Sequence, residues 1–209
     1  MSLRLIVKKL ELAEKRFITR DEIKKYCKEL RMDYYATIRY LISNEYLVTI
    51  LRGIFYIKPL EERKSKKIGI SFIGAITEAL RIKGVKNWYF GLESAVKLNN
   101  LTHEYFAVET VINDRIFRPK PIEILGTKAK FIKISKSLLK FGLKGDGIKF
   151  SDAEKTLLDT VYLGRYNNYS GEEIKNRIAP LLENCKKSRL RKYAAHYPKT
   201  VGSFLEGLI

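Results

Sequence analysis

The sequence predicts an α+β protein with two domains, and three observations support this fold class. Apolar residues recur at helical spacing between residues 3 and 46, and two short alternating runs follow at 47–57. Beyond a polar stretch, extended runs alternate with helical patterns, which favours a mixed α/β second domain over a regular parallel sheet. We therefore expect a first domain at 1–59, a linker at 60–67 and a second domain at 68–209.

Three helices are predicted in the first domain. Residues 3–14 form an amphipathic pattern, which predicts the first helix. Thr19 and Glu22 fit a capping box that begins the second helix, and Asp33 is a suitable N-cap for the third. In the third helix the spacing predicts an apolar side made of Ile38, Leu41, Ile42 and Tyr46. The residues expected to face outward are Tyr35, Ala36, Arg39, Tyr40 and Ser43.

A β-hairpin is predicted directly after the third helix. The alternating runs Leu47–Leu51 and Ile54–Ile57 are joined by Arg52-Gly53, and glycine tolerates the positive φ of a two-residue turn. Alternation also implies that one of Phe55 and Tyr56 faces the core.

Two helices followed by a hairpin with a basic tip are typical of a winged helix-turn-helix domain. Such domains lay the second helix of the pair in the major groove and set the wing against the adjacent backbone. We therefore expect double-stranded DNA to be contacted by Tyr35, Ala36, Arg39, Tyr40 and Ser43 on the third helix, and by Arg52 at the wing tip. A protein-interaction module with the same layout is the alternative.

The charge balance favours a polyanionic partner. The chain has 41 Lys and Arg against 23 Asp and Glu, a net charge of +18. Such a surface suits nucleic acid first, an anionic membrane second and an acidic protein third. No stretch reaches the ~18 apolar residues of a membrane span, and no signal-peptide pattern opens the chain. We therefore expect a cytoplasmic protein without a membrane partner.

Cysteine, histidine and glutamine contents are also informative. Two cysteines and two histidines lie far apart in sequence, which is too few for a structural zinc site, and we expect no metal, no cofactor and two free thiols. The chain has no glutamine and is rich in Lys, Ile and Glu. Depletion of thermolabile amides is typical of thermophile proteins, although AT-biased codon usage also favours Lys and Ile.

The second domain is predicted to contain alternating helices and strands. Ser151 with Glu154 and Ser170 with Glu173 fit capping boxes, each of which begins a helix. Earlier helices are expected at 68–83 and 92–99, and strands are expected at 87–90, 104–111, 119–126 and 128–134, the last two forming a hairpin around Gly126-Thr127.

Taken in order, three segments resemble the AbiEi family, the antitoxins and transcriptional regulators of type IV (abortive infection) toxin–antitoxin systems. They are LVTILRGIFYIKP at 47–59, YFGLESAVKLNNLT at 89–102 and SDAEKTLLDTVYLG at 151–164, within a resemblance that covers roughly residues 5–195. The resemblance implies a repressor of its own operon that binds an operator arranged as an inverted repeat. It also implies a second domain that counteracts a nucleotidyltransferase-like toxin without forming a stable complex.

Sequence motifs for catalysis are lacking, so we expect no enzyme and no catalytic residues. There is no P-loop, no dinucleotide fingerprint, no H-E-x-x-H and no G-x-S-x-G. A nuclease would need acids and a lysine on neighbouring strands, and Asp114, Glu123 and Lys128 or Lys130 are the nearest candidates, at the wrong spacing. The alternative function is a nucleic-acid-processing enzyme with a nuclease-like second domain. For Asp159 we expect a buried polar contact.

A basic segment lies near the end of the chain. It carries five positive charges within seven residues: Lys186, Lys187, Arg189, Arg191 and Lys192. A solvated helix end explains such a run, because cations near a helix C-terminus complement its dipole. The alternative is a secondary basic surface that contacts flanking DNA or an acidic protein.

Overall fold

The computed structural model describes residues 3–102, 104 and 106–208 and forms a mixed α/β protein. Two compact units are present. The first runs to Gly84 and also includes Ile124–Gly126, and the second contains Val85–Glu123 and the chain from Thr127 onward. The first unit therefore extends well beyond the domain end predicted at Pro59.

In the first unit, the first three helices and a three-stranded antiparallel sheet share one core. The elements are α1 (Leu3–Leu12), β1 (Phe17–Thr19), α2 (Arg20–Glu29), α3 (Tyr34–Ser43), β2 (Leu47–Leu51), β3 (Ile54–Ile57), α4 (Leu60–Ser65) and α5 (Phe72–Ile82). The strands lie in the order β1-β3-β2. Ile6, Ile23, Leu41 and Phe55 belong to the core that joins the first three helices to the sheet. The predicted helices and hairpin of this unit are confirmed.

The central strand β3 is buried along its whole length. Phe55 faces the core, as the alternation predicts, and Tyr56 on the opposite face of the strand is also buried. Successive side chains point to opposite faces of a strand, so both faces must be covered. Phe55 packs in the core with α1 to α3, and the Tyr56 hydroxyl donates to Glu62 of α4 over 2.7 Å. Helix α5 also contacts β2 and β3.

Residues 60–67 do not form the predicted linker, because Leu60–Ser65 is a helix bonded to the first unit. Arg63 donates to Glu11 of α1 over 2.6 Å, and its guanidinium lies 4.4 Å from the centre of the Tyr46 ring. Arg16 donates to Glu62 over 2.9 Å. These contacts, together with α5, move the end of the first unit to Gly84.

The second unit has a six-stranded mixed sheet in the order β6-β7-β5-β4-β9-β8. Its elements are β4 (Trp88–Phe90), α6 (Glu93–Leu98), β5 (Val108–Asn113), β6 (Ile122–Ile124), β7 (Thr127–Lys133), a 3₁₀ helix (Lys136–Leu139), β8 (Leu143–Lys144), β9 (Phe150–Ser151), α7 (Ala153–Tyr166), α8 (Gly171–Leu182), α9 (Lys187–Ala194) and α10 (Lys199–Glu206). β5 pairs in parallel with β7 and antiparallel with β4. Apolar residues of α7 to α10 pack with Tyr89 and Ile112 of the sheet.

Sequence predictions for the second unit are confirmed in part. β6 and β7 are neighbours, as predicted, but they are joined at Leu125-Gly126 and not at Gly126-Thr127. β5 covers 108–113 and not 104–111. Tyr105, within that prediction, lies outside the described residues. The capping box at Ser170 is confirmed, with both reciprocal bonds present.

The capping box predicted at Ser151 is wrong. Asp152 is the N-cap of α7, and its carboxylate accepts the Lys155 N–H over 2.8 Å. In the part of the chain that the structure describes, no helix is long and apolar enough to cross a membrane.

Candidate nucleic-acid interface

Helix α3 is held in the first unit by a cap and by two buried side chains. The Asp33 carboxylate accepts the Ala36 N–H over 2.7 Å and so satisfies one of the unpaired donors of the first turn. Thr37 and Leu41 are buried one turn apart and fix which side of the helix faces the core. The other side of α3 is therefore presented to solvent.

The exposed side of α3 contains most of the residues predicted from the sequence. Tyr35, Ala36, Arg39 and Ser43 are all exposed, and Tyr35 retains 65% of its surface. Tyr40 is only half-buried, because its ring stacks on Tyr46 with 6.0 Å between the ring centres.

The apolar side of α3 differs from the prediction at one position. Ile42, which was expected in the core, is 41% exposed, and Thr37 occupies a core position instead. The helical spacing fixes the angle between side chains, whereas the packing of α3 against the sheet fixes which of them are covered.

Arg39 is the cation on this side that is free to bind a ligand. Within the described residues its guanidinium makes no ion pair or hydrogen bond, whereas the Ser43 hydroxyl donates to the Tyr40 carbonyl over 3.2 Å. A free guanidinium can donate two parallel hydrogen bonds to the O6 and N7 acceptors of guanine in the major groove. The exposed side of α3 therefore presents an unpaired guanidinium to solvent.

The hairpin tip is held by bonds to two other elements. Gly53 has a φ of +79°, which glycine adopts without strain, and Arg52 beside it is exposed. The Gly53 carbonyl accepts the Arg20 N–H and the Arg52 carbonyl accepts the Lys83 ammonium, each over 2.8 Å. The Arg52 side chain thus projects from a fixed backbone, which suits a phosphate or minor-groove contact.

Two cations beside α3 were missed by sequence reasoning. The charged groups of Arg20 and Lys24 lie 5.8 Å and 5.7 Å from the centre of the Tyr34 ring. Burial raises the pKa of the Tyr34 hydroxyl, while Arg20 lowers it in part. Their spacing in the sequence could have indicated them, because residues four apart lie on one face of a helix. Arg20 and Lys24 add positive charge between α2 and the start of α3.

The cations of the basic segment 186–192 differ in their contacts and exposure. Arg189 is half-buried and lies 3.4 Å from the Glu154 carboxylate and 3.9 Å from that of Asp152. Glu154 also accepts the Lys186 N–H over 3.1 Å, so this buried carboxylate stabilises the start of α9. The side chains of Lys186, Lys187, Arg191 and Lys192 are exposed. Arg191 and Lys192 lie in the last turn of α9, where cations complement the helix dipole, whereas Lys186 and Lys187 lie at the start of the helix.

A fully buried polar cluster lies in the second unit, where Asp159 was expected to make a buried contact. Asp159 accepts hydrogen bonds from the hydroxyls of Tyr89, over 2.6 Å, and Tyr197, over 2.7 Å. The Lys155 ammonium lies 3.3 Å from Asp159 and 4.6 Å from the centre of the Phe141 ring. Burial lowers the pKa of Lys155 and raises the pKa values of Tyr89 and Tyr197. This enclosed cluster joins β4, α7 and the segment before α10.

The acids considered for a nuclease are not assembled into a metal site. Asp114 accepts a hydrogen bond from Asn87 over 2.8 Å, and Glu123 is exposed on the edge strand β6. Lys128 and Lys130 are exposed on β7. Among the described residues, no three His, Cys, Asp or Glu side chains form a group that could hold a metal ion.

The second unit also contains a cavity of about 650 Å³ next to α7 and α8. Its charged lining residues are Glu93, Glu104, Lys130 and Arg177. Two of its polar groups are already occupied, since Thr160 donates to the Thr156 carbonyl and Asn167 donates to the Leu163 carbonyl.

Comparisons with known proteins define the fold of the chain. The chain is similar to the crystal structure of the RV2827C protein from Mycobacterium tuberculosis, with a TM-score of 0.55 and 13% sequence identity. The match covers 94% of this chain and 72% of that one. At this identity the likeness concerns the fold alone. No family model matches the chain, and no curated protein matches it.

Proposed function

We propose that the chain is a sequence-specific double-stranded DNA-binding transcriptional regulator, with a winged helix-turn-helix domain as its first unit. The observation that carries the proposal is the exposed side of α3, where Arg39 is free, in the same unit as a hairpin tipped by Arg52. In this arrangement α3 enters the major groove and Arg52 contacts the backbone or the minor groove.

The charges of the first unit support a polyanionic ligand. Arg20 and Lys24 flank the Tyr34 ring at the start of α3, and Arg52 is exposed at the hairpin tip. Phosphate contacts from such cations fix the register of a protein on the duplex, and base contacts then supply the specificity. Arg39 is the base-reading residue, and Arg20, Lys24 and Arg52 are positioning contacts.

The resemblance to AbiEi antitoxins extends the proposal to regulation. On that basis the protein represses its own operon from an inverted repeat, and its second unit counteracts a nucleotidyltransferase-like toxin. The toxin part rests on the resemblance alone, whereas DNA binding also rests on the side chains of α3.

A titration on the DNA upstream of the protein's own coding sequence tests the proposal. The control is a duplex of the same length and composition with shuffled sequence, measured at the same salt concentration. We expect the upstream duplex to bind about 10³-fold tighter or more, the lower range of specific DNA-binding proteins. Equal affinities for the two duplexes would reject sequence-specific regulation.

A further inference from the structure

We propose that the loop between β5 and β6, residues 114–121, is a second nucleic-acid site that stacks an unpaired base of a single strand on Phe117. This site lies in the second unit and goes beyond the duplex binding proposed for α3.

Phe117 is unusual among the phenylalanines of the chain. All ten lie within the described residues, and Phe117 alone is exposed, with 61% of its surface accessible. The other exposed aromatic residues in the described part are tyrosines, whose hydroxyl group can remain in water. A phenylalanine ring lacks that polar tip, so its exposure leaves a flat apolar face available to a ligand.

The loop is held in one conformation by the buried side chain of Asn113. Its amide oxygen accepts the N–H groups of Arg115 and Ile116, and its amide nitrogen donates to the carbonyls of Ile116, over 2.9 Å, and Ile132, over 3.2 Å. The Arg118 N–H donates to the Phe131 carbonyl of β7 over 3.1 Å. The ring is therefore presented on an ordered backbone, which lowers the entropy lost on binding.

Three cations surround the ring in sequence: Arg115, Arg118 and Lys120. None of their side chains makes an ion pair with a described residue. Arg115 and Lys120 are exposed and Arg118 is half-buried. Unpaired cations that neighbour an exposed aromatic ring in the same short loop match the two parts of a single-strand site, because the cations follow the phosphates while the ring stacks on a base.

Single-stranded nucleic acid is favoured over duplex and over an acidic peptide for a chemical reason. The bases of a duplex are already stacked on each other, so a ring at the surface gains nothing from them. An acidic peptide satisfies the cations but offers the ring no flat partner. A free base satisfies both, since every base has a π face.

The experiment measures binding of the full-length chain to a labelled oligo(dT) of about ten nucleotides, within the usual site size of such proteins. Phe117→Ala should weaken binding about 5- to 150-fold, the range found for loss of one stacking contact. Phe117→Trp should retain affinity for oligo(dT). The fluorescence of the new tryptophan should be quenched when oligo(dT) is added, whereas the signal of the buried Trp88 should stay constant. Tyr166→Ala, which removes an aromatic ring that is 78% exposed, is the matched control and should leave affinity unchanged.

Binding of the same variants to the upstream duplex separates this inference from the proposed function. Phe117→Ala should retain duplex affinity, and Arg39→Ala should retain oligo(dT) affinity. The inference is overturned if Phe117→Ala binds oligo(dT) like the unmodified chain, if Arg39→Ala loses it, or if the unmodified chain does not bind it. Competition by poly-glutamate as effective as that by oligo(dT) would also overturn it and indicate an acidic protein partner.

Discussion

The backbone N–H of Arg20 donates to the carbonyl oxygen of Gly53 over 2.8 Å. This bond connects the first residue of α2 to the turn of the hairpin, while the Arg20 guanidinium lies over Tyr34 at the start of α3. One residue therefore contacts both elements of the proposed DNA interface. This contact fixes the hairpin tip relative to α3, which would reduce the ordering cost of the proposed DNA binding.

Arg39→Ala should weaken binding to the upstream duplex by about 1–3 kcal/mol and binding to shuffled DNA much less. The reason is that a guanidinium paired with guanine contributes to specific binding alone. Titration of both duplexes at one salt concentration measures the two losses.

Arg39→Lys is the matched variant for this measurement. Lysine keeps the charge but lacks the planar fork, so it should retain shuffled-DNA affinity and lose specificity. An equal loss on both duplexes for Arg39→Ala would identify Arg39 as a phosphate contact only.

Arg52→Ala should weaken binding to every duplex and reduce the slope of log affinity against log salt by about one unit. The backbone of the tip is held by Arg20 and Lys83, so removing the Arg52 side chain should leave the turn intact. Affinities at four or more salt concentrations give the slope. An unchanged slope would mean that the tip points away from DNA.

Asp159→Ala should destabilise the second unit by about 3–5 kcal/mol, because Lys155 would then be buried without its carboxylate. The hydroxyls of Tyr89 and Tyr197 would also lose their acceptor. Denaturant unfolding measures the loss. The double variant Lys155→Met, Asp159→Leu removes both charges and should be more stable than Asp159→Ala. A double variant less stable than Asp159→Ala would contradict the explanation that the unpaired charge of Lys155 causes the loss of stability.

Stability should fall as pH rises above about 10, the ordinary pKa of tyrosine. Burial raises the pKa values of Tyr89 and Tyr197, so the folded protein keeps protons that the unfolded chain releases. The stability that these two tyrosines contribute is complete below pH 10, and it is lost as the pH rises toward their pKa values in the folded protein.

Burial lowers the pKa of Lys155, so this residue makes stability rise with pH, the opposite of the tyrosine effect. Its effect ends at the ordinary lysine pKa of 10.5, above which the unfolded chain has also released the proton. Unfolding midpoints between about pH 9 and pH 11.5 should therefore decline at the alkaline end. The decline should be smaller in Tyr89→Phe and Tyr197→Phe. The same slope in both variants would assign the alkaline loss to other groups.

Local signals in the sequence predicted much of the first unit. The caps at Thr19 and Asp33 depend on side chains within three residues, and the turn at Gly53 depends on one residue, so short-range chemistry was sufficient. The exposed side of α3 followed from periodicity, apart from Tyr40 and Ile42.

The incorrect predictions concern contacts distant in sequence. Residues 60–65 are polar enough for a linker, yet Glu62 and Arg63 bond to Arg16 and Glu11, more than forty positions earlier. Glu154 was interpreted as a helix cap, and it instead accepts the N–H of Lys186. A local sequence pattern does not indicate which segment, distant in sequence, will cover a given residue.

Amide hydrogen exchange of the full-length chain with and without the upstream duplex tests the central claim most directly. We predict slower exchange in peptides covering α3 and the β2–β3 hairpin, and no change in α8 of the second unit. Arg39→Ala should reduce the protection of α3 at equal DNA concentration. Protection confined to the second unit, with exchange in α3 and the hairpin unchanged, would contradict the proposal that the first unit binds DNA.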